Sequence, residues 1–212
     1  MPRLKVKDMP RKQQMAVKAT MADGGKGIPN KLKEKIMFKD FDIGPFKKMK
    51  PPSDNGYTTH TELNELKKIP LNKSFVKKFD NIESAFAKTA KDNNIEDYDK
   101  KLAAKLIKDS APVILELKKY HNRKRPYDLD SSLKALVLKS MQTPSYPSGH
   151  STQGIAIAKL LADKYPKAKS AFLQTGKNIS YSRSVARAHY KSDTKVGEQL
   201  GNSMYKHIKN KI

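Results

Sequence analysis

Ser145-Tyr146-Pro147-Ser148-Gly149-His150-Ser151 leads directly into an apolar-periodic run through Ile155, Ala158 and Leu161, and this junction reads as the start of a helix. Pro147 ends the preceding conformation, and Ser148 is a good N-cap. Gly149 lets backbone approach a ligand closely. The free N–H groups of a helix's first turn form an anion site, and His150 would stand beside it. A plainer reading of the same residues is an ordinary cap followed by a surface histidine.

Helical signals extend to both sides of this junction. Upstream, Thr61 to Leu66 begins a short helix that ends before Pro70. Asn72 can cap the next, in which Phe75, Phe79, Ile82 and Phe86 recur at helical spacing. Asp97 to Asp109 carries Leu102 and Leu106 on one face, and Pro112 sits where it could open a following helix through Val113 and Leu117. Further helices are expected from Asp130 to Leu138, Ser148 to Lys164, Lys167 to Ala186 and Asp193 to Lys209. Few β-branched alternating runs exist, so the expected fold is an all-α helical bundle. Residues 1–55 contain Gly24-Gly25, Gly44-Pro45 and Pro51-Pro52 among scattered lysines, and read as a basic, largely irregular N-terminal tail with a short helix near Pro29 to Met37. Residues 56–212 then form the helical domain, with its motif-bearing core at about 95–208.

With 212 residues, 37% of them apolar, the chain can bury one core. A mean hydropathy of −0.76 implies a heavily solvated surface. It has no cysteine, which removes disulfides and thiolate metal sites. No stretch approaches the roughly 18 apolar residues needed to cross a bilayer. The N-terminus is positively charged without a following apolar segment, so no Sec-type signal is expected and the protein reads as soluble and cytoplasmic. The net charge is +23, and from residue 100 onward 23 Lys and Arg face 7 Asp and Glu. This excess is spread along the chain rather than interleaved with aromatic residues. It draws in anionic substrates, and nucleic-acid specificity does not follow from it.

Two more segments carry unusual side chains. One runs from Lys118 to Pro126 and includes Arg125; the other is Ser182-Arg183, followed by His189 and Asp193. A phosphoryl group in transfer spreads charge over its equatorial oxygens, so fixed cations are what it needs. Lys118, Arg125 and Arg183 can form such a cage. On a helix, Asp193 can hold one nitrogen of the His189 ring and leave the other for attack. Arg183 would point about 120° away from His189 on one unbroken helix, so a bend or a long reach is required. Each segment alone also reads more plainly, as a basic helix end including Lys119, Arg123 and Lys124, or as a surface His–Asp pair.

Taken together and in order, the three segments resemble the type 2 phosphatidic acid phosphatase superfamily: Lys-x6-Arg-Pro, Pro-Ser-Gly-His, then Ser-Arg-x5-His-x3-Asp. The similarity is greatest to the soluble bacterial class A non-specific acid phosphatases, through Ser145 to Ser151 and Ser192-Asp193-Thr194 with Gly197 and Leu200-Gly201 following. The resemblance implies a helical bundle of the acid phosphatase/vanadium haloperoxidase type. It implies hydrolysis of phosphomonoesters without a metal or other cofactor, through a phosphohistidine on His189. Asp193 would orient that ring, and His150 would protonate the leaving oxygen and later activate water. Lys118, Arg125, Arg183, Ser148 and Gly149 would bind the phosphate. The sequence departs from the pattern at Arg187, where related sequences commonly have Gly, and near Lys191, where they often have Pro. Arg187 would either add a substrate-binding cation or crowd the site.

Other readings stay open at this stage. A vanadium-dependent haloperoxidase uses the same cage, since vanadate mimics the phosphoryl transition state. A basic structural or nucleic-acid-binding protein on a phosphatase-like scaffold is also consistent with the tail and the charge. The expected partner is a small phosphorylated, anionic substrate. The basic tail could reach nucleic acid or a larger assembly, and relatives often form homo-oligomers.

Overall fold

The computed structural model describes residues 37–211, in which every regular element is a helix, with no strand among the described residues. After a turn at 37–40 come α1 (Gly44–Lys48), α2 (Tyr57–Lys68), α3 (Lys73–Asp80), α4 (Ile82–Asp92) and the long α5 (Lys100–His121). A short α6 (Pro126–Leu129) and a 3-10 turn (Lys139–Gln142) follow. Three long helices complete the chain: α7 (Gly149–Lys164), α8 (Lys169–Val185, entered through a 3-10 turn at Pro166–Ala168) and α9 (Lys191–Ile208).

The helix starts are written into the chain by short polar caps. The Asn72 side chain accepts from Phe75 N at 2.9 Å, that of Asn81 from Ser84 N at 2.8 Å, and that of Asp99 from Leu102 N at 3.0 Å. Helix α7 is the centre of the bundle. It packs against α8, α9, α5 and α4, and Ala156, Ile157, Ala158 and Leu161 are all at most 1% exposed. Its middle, residues 154–162, is buried nearly all round, which suits a stretch that is small and apolar apart from Lys159. Glycine sets how near its neighbours come. A Cβ at Gly197 of α9 would lie 2.5 Å from the Ser148 carbonyl oxygen, and one at Gly176 of α8 would lie 2.6 Å from the Ala158 Cβ. Helix α7 is thereby pinned by α9 at its start and by α8 along its middle.

Several expected boundaries move. Phe75 to Phe86 is two helices rather than one, because Asn81 adopts an extended conformation and caps the second with its side chain. Pro112 lies inside a single helix, α5, instead of opening a new one. The helix expected from Asp130 to Leu138 does not form. The Asp130 carboxylate instead accepts from Ser132 N at 2.9 Å, a local turn that competes with helix. Residues 37–55, read as tail, belong to the packed body: Phe38 and Phe46 are 4% and 5% exposed in the main core, and the Tyr146 hydroxyl donates to the Met49 carbonyl. One core residue in a five-residue helix is too little for periodicity to register. The rest of the expected tail, and all but the last residue of the helix expected at Pro29 to Met37, lie outside the described residues. No described helix is long and apolar enough to cross a membrane.

Candidate functional site

Two helix ends steer the three segments together. Helix α5 ends at Asn122, a left-handed residue (φ 45°) whose N–H returns to the Lys118 carbonyl. The chain leaves it with Arg123 and Arg125 buried and Lys119 and Lys124 exposed. Helix α8 ends in a Schellman turn: Ala188 N donates to the Arg183 carbonyl and Arg187 N to the Ser184 carbonyl, both at 2.9 Å. That turn supplies the bend between Arg183 and His189. Its left-handed residue is Arg187, at φ 55°, where glycine carries no Cβ penalty. The Arg187 side chain turns away from the other segments and donates to the Lys67 and Ile69 carbonyls at the end of α2, each at 3.1 Å. It therefore neither joins the cations nor crowds them.

His189 is held at both ring nitrogens. Nδ1 lies 3.2 Å from Asp193 Oδ2, and Nε2 lies 3.0 Å from Arg125 Nη1. A guanidinium only donates, so Nε2 is an acceptor and the ring proton sits on Nδ1, facing the carboxylate. Burial pushes the His189 pKa well below its ordinary value; Asp193 opposes this, while Arg125 and Lys118 add to it. The ring is therefore neutral, with a lone pair on Nε2. Asp193 is fully buried. Burial would raise its carboxyl, but hydrogen bonding to His189, the charge of Arg123 and the Ser145 hydroxyl hold it at about 2.

Lys118, Arg125 and Arg183 are at most 5% exposed. The Lys118 ammonium donates to the Pro144 and Ser145 carbonyls at 2.5 and 3.1 Å. Burial and the neighbouring Arg125 lower its pKa to about 7, with Asp193 opposing. Arg125 donates through Nε to the Thr143 carbonyl and through Nη1 to that of Ala188. Arg183 Nη1 donates to Asp80 Oδ1 at 2.8 Å, while its Nη2 is buried without a hydrogen-bond partner. Ser148 caps α7, its N–H donates to the Asp193 carbonyl at 3.1 Å, and Gly149 follows it as the first residue of α7. A Cβ at Gly149 would point toward Lys118, 4.0 Å from its Cε. His150 Nε2 lies 2.9 Å from the Asp80 carbonyl oxygen and 3.7 Å from its carboxylate. Burial and Arg183 lower the His150 pKa to about 4, and Asp80 works against them. Lys118 also depresses both histidines.

Four neighbours escaped the sequence reading. Arg123, read there as part of a basic helix end, donates to Asp193 Oδ1 at 2.7 Å and stacks 3.8 Å over the Tyr190 ring. Glu62 on α2 accepts from Ser192 N at 2.6 Å and pairs with Arg123 at 3.4 Å. The Ser145 hydroxyl donates to Asp193 Oδ2 at 2.5 Å. Asp80, the last residue of α3, faces Arg183 and His150. Arg123 alone left a usable trace, the alternation Arg123-Lys124-Arg125 on an extended segment. Among the described residues no group of three or more His, Asp or Glu side chains is arranged to hold a metal ion. Chemically, the arrangement can hold a tetrahedral anion against fixed cations beside a neutral imidazole.

Comparison with known proteins points the same way over part of the chain. An acid phosphatase of Zymomonas mobilis is 38% identical over 80 residues, covering 36% of this chain and 30% of that protein. A non-specific acid phosphatase of Salmonella typhimurium is 31% identical over 87 residues, covering 40% of this chain and 35% of that protein. Part of the chain is related to bacterial acid phosphatases. The match spans about a third of the length of these relatives, and no family profile matches the chain.

Proposed function

We propose that this protein is a phosphatase that hydrolyses phosphomonoesters through a phosphohistidine on His189, without a metal ion. One observation carries the reading. The neutral His189 ring is fixed by Asp193 with its Nε2 lone pair turned to Arg125, beside Lys118. The Arg183 Nη2, buried without a hydrogen-bond partner, leaves a donor that a bound phosphoryl oxygen would satisfy.

In this reading Lys118, Arg125 and Arg183 bind the phosphoryl oxygens, with the Ser148 hydroxyl and the Gly149 N–H at the start of α7 completing the cradle. Nε2 of His189 forms a bond to phosphorus as the ester P–O bond breaks, and Asp193 stabilises the cation left on the ring. His150, protonated, gives its proton to the leaving oxygen. It then takes a proton from water, which attacks phosphorus and breaks the P–N bond, releasing phosphate and restoring the ring. The low His150 pKa means that the protonated acid is more abundant on the acid side of neutrality, and a bound anion raises that pKa.

His189→Ala, assayed with p-nitrophenyl phosphate, tests the mechanism: turnover should fall to background, and wild-type turnover would sink it. EDTA should leave the wild-type rate unchanged, and strong sensitivity would overturn the metal-free part.

A further inference from the structure

Ser145 joins the three segments of the site. It is fully buried, its N–H donates to the Arg123 carbonyl at 2.8 Å, and its own carbonyl accepts from Lys118 Nζ at 3.1 Å. Those backbone contacts hold the approach to α7 in place. The side chain does something separate, because its hydroxyl donates to Asp193 Oδ2, the same oxygen that holds the His189 ring.

The direction of that bond follows from the ring. His189 carries its proton on Nδ1, 3.4 Å from Ser145 Oγ, so the hydroxyl cannot donate to this nitrogen and the carboxylate is its acceptor. Oδ2 thus takes three donors: the Ser145 hydroxyl, His189 Nδ1 at 3.2 Å and Tyr190 N at 3.1 Å. A carboxylate oxygen offers about two lone pairs, so the three share them. The Tyr190 donor is backbone, which makes Ser145 the side-chain competitor of His189 on this oxygen. The remaining charges act from other directions: Arg125 and Lys118 face the ring, and Arg123 holds Oδ1.

We propose that Ser145 is a positioning residue whose hydroxyl restrains the pull of Asp193 on the His189 ring and so keeps the phosphohistidine short-lived. This rests on the phosphohistidine reading above. Attack on phosphorus leaves the ring cationic, and Asp193 stabilises that cation through Nδ1. Turnover then requires the reverse. Water oxygen bonds to phosphorus, the P–N bond breaks with its electron pair returning to Nε2, the ring loses its charge, and His150 takes the water proton. A carboxylate that held the cation more firmly would slow this second step. The hydroxyl also lowers the Asp193 pKa, the sign expected of a donor that draws on the carboxylate charge.

Ser145→Ala removes the hydroxyl and keeps both backbone contacts, while Ser145→Cys leaves a weaker donor in its place. In nitrogen NMR spectra of the full chain, the His189 ring is the one of five histidines whose signals vanish in His189→Ala. Its Nδ1 resonance should move downfield in Ser145→Ala as the bond to Asp193 tightens, with Ser145→Cys in between. After mixing with radiolabelled p-nitrophenyl phosphate and rapid alkaline quenching, protein-bound phosphate should decay about threefold or more slowly in Ser145→Ala, and less slowly in Ser145→Cys. An unmoved resonance, or decay as fast as in the wild type, overturns the proposal and leaves the phosphohistidine reading standing. A lower melting temperature with neither change is the result for a purely structural serine, and overturns it equally. Absence of protein-bound phosphate in the wild type overturns the phosphohistidine reading itself, and the proposal with it.

Discussion

The Arg123 guanidinium approaches Asp193 Oδ1 to 2.7 Å, leaving Oδ2 for the ring nitrogen of His189 at 3.2 Å. The two oxygens thus have separate duties, one on a buried cation and one on the imidazole. Arg123 is itself fixed by Thr59, Glu62 and Ser192, so α2 reaches the His189–Asp193 pair without touching it. Arg123→Met would leave the buried Asp193 without its cation partner, at a cost of about 3–5 kcal/mol in urea unfolding. Loss of Arg123 also removes one of the charges that keep the Asp193 pKa low. Turnover should therefore fall with Arg123→Met and recover in part with Arg123→Lys, and unchanged stability in the Met variant would contradict this account.

Arg187 offers a cleaner comparison, because it combines a strained backbone with a useful side chain. Arg187→Ala and Arg187→Gly lose the same two hydrogen bonds to the Lys67 and Ile69 carbonyls. Only glycine also relieves the left-handed conformation at φ 55°. The Gly variant should therefore be more stable than the Ala variant by about 1 kcal/mol in chemical denaturation. Hydrolysis of p-nitrophenyl phosphate should change little in either, since the guanidinium faces α2.

What the sequence disclosed follows the range of each physical signal. The all-α class was legible because apolar residues recur at helical spacing through α7, α8 and α9, and because Asn72 and Ser148 are strong caps. The break at Asn81 was not, since the apolar spacing from Phe75 to Phe86 runs unbroken across it. The structure brings the eight singled-out residues into one region, and their order along the chain was enough to suggest that. Arg123 was hidden among Lys119 and Lys124, which have the same charge and the opposite exposure. Asp80 was hidden because its role depends on where α3 docks, and no local pattern encodes that.

Lys118 should set an alkaline limit on anion binding. With its pKa lowered to about 7, it is charged below that value and loses its charge as the pH rises through it. Phosphate affinity should fall through this window, and Lys118→Arg should move the fall to higher pH. The same shift acts on stability with the opposite sense. The unfolded chain keeps this lysine charged up to its ordinary value of 10.5, so between the two values the unfolded state binds more protons and the Lys118 contribution makes stability rise with pH. Lys118→Met should accordingly raise the melting temperature at pH of about 6 while weakening phosphate binding. A lower melting temperature would show that burial of the charge is not what depresses the pKa.

On the proposed reading, Asp80 would compete with a phosphoryl group for Arg183. Its carboxylate sits 2.8 Å from Arg183 Nη1 and raises the His150 pKa against burial. Asp80→Asn removes one negative charge from the region where an anion would bind, so inhibition by inorganic phosphate should tighten several-fold. His150 should then protonate only at lower pH, and the acid-dependent rise in turnover should move down with it. Weaker phosphate inhibition in this variant would mean that Asp80 organises Arg183 rather than competing for it.

Gly197 should be among the least replaceable residues of α9. A Cβ there would lie 2.5 Å from the Ser148 carbonyl oxygen and 3.0 Å from the Ser151 Cβ. The first of these is backbone and cannot swing aside, so α9 has to move away from α7. Asp193 lies one turn earlier on α9, and its carbonyl accepts from Ser148 N at 3.1 Å, so the same movement separates His189 and Asp193 from the start of α7. Gly197→Ala is therefore expected to destabilise the fold by about 1–3 kcal/mol, the usual cost of overpacking. It should lower turnover by more than the loss of folded protein explains. Gly44→Ala provides the contrast, because its Cβ would meet only the Asp42 side chain at 3.0 Å, which can rotate away. If both variants keep wild-type turnover per folded molecule, close contact between α7 and α9 is not what positions the site.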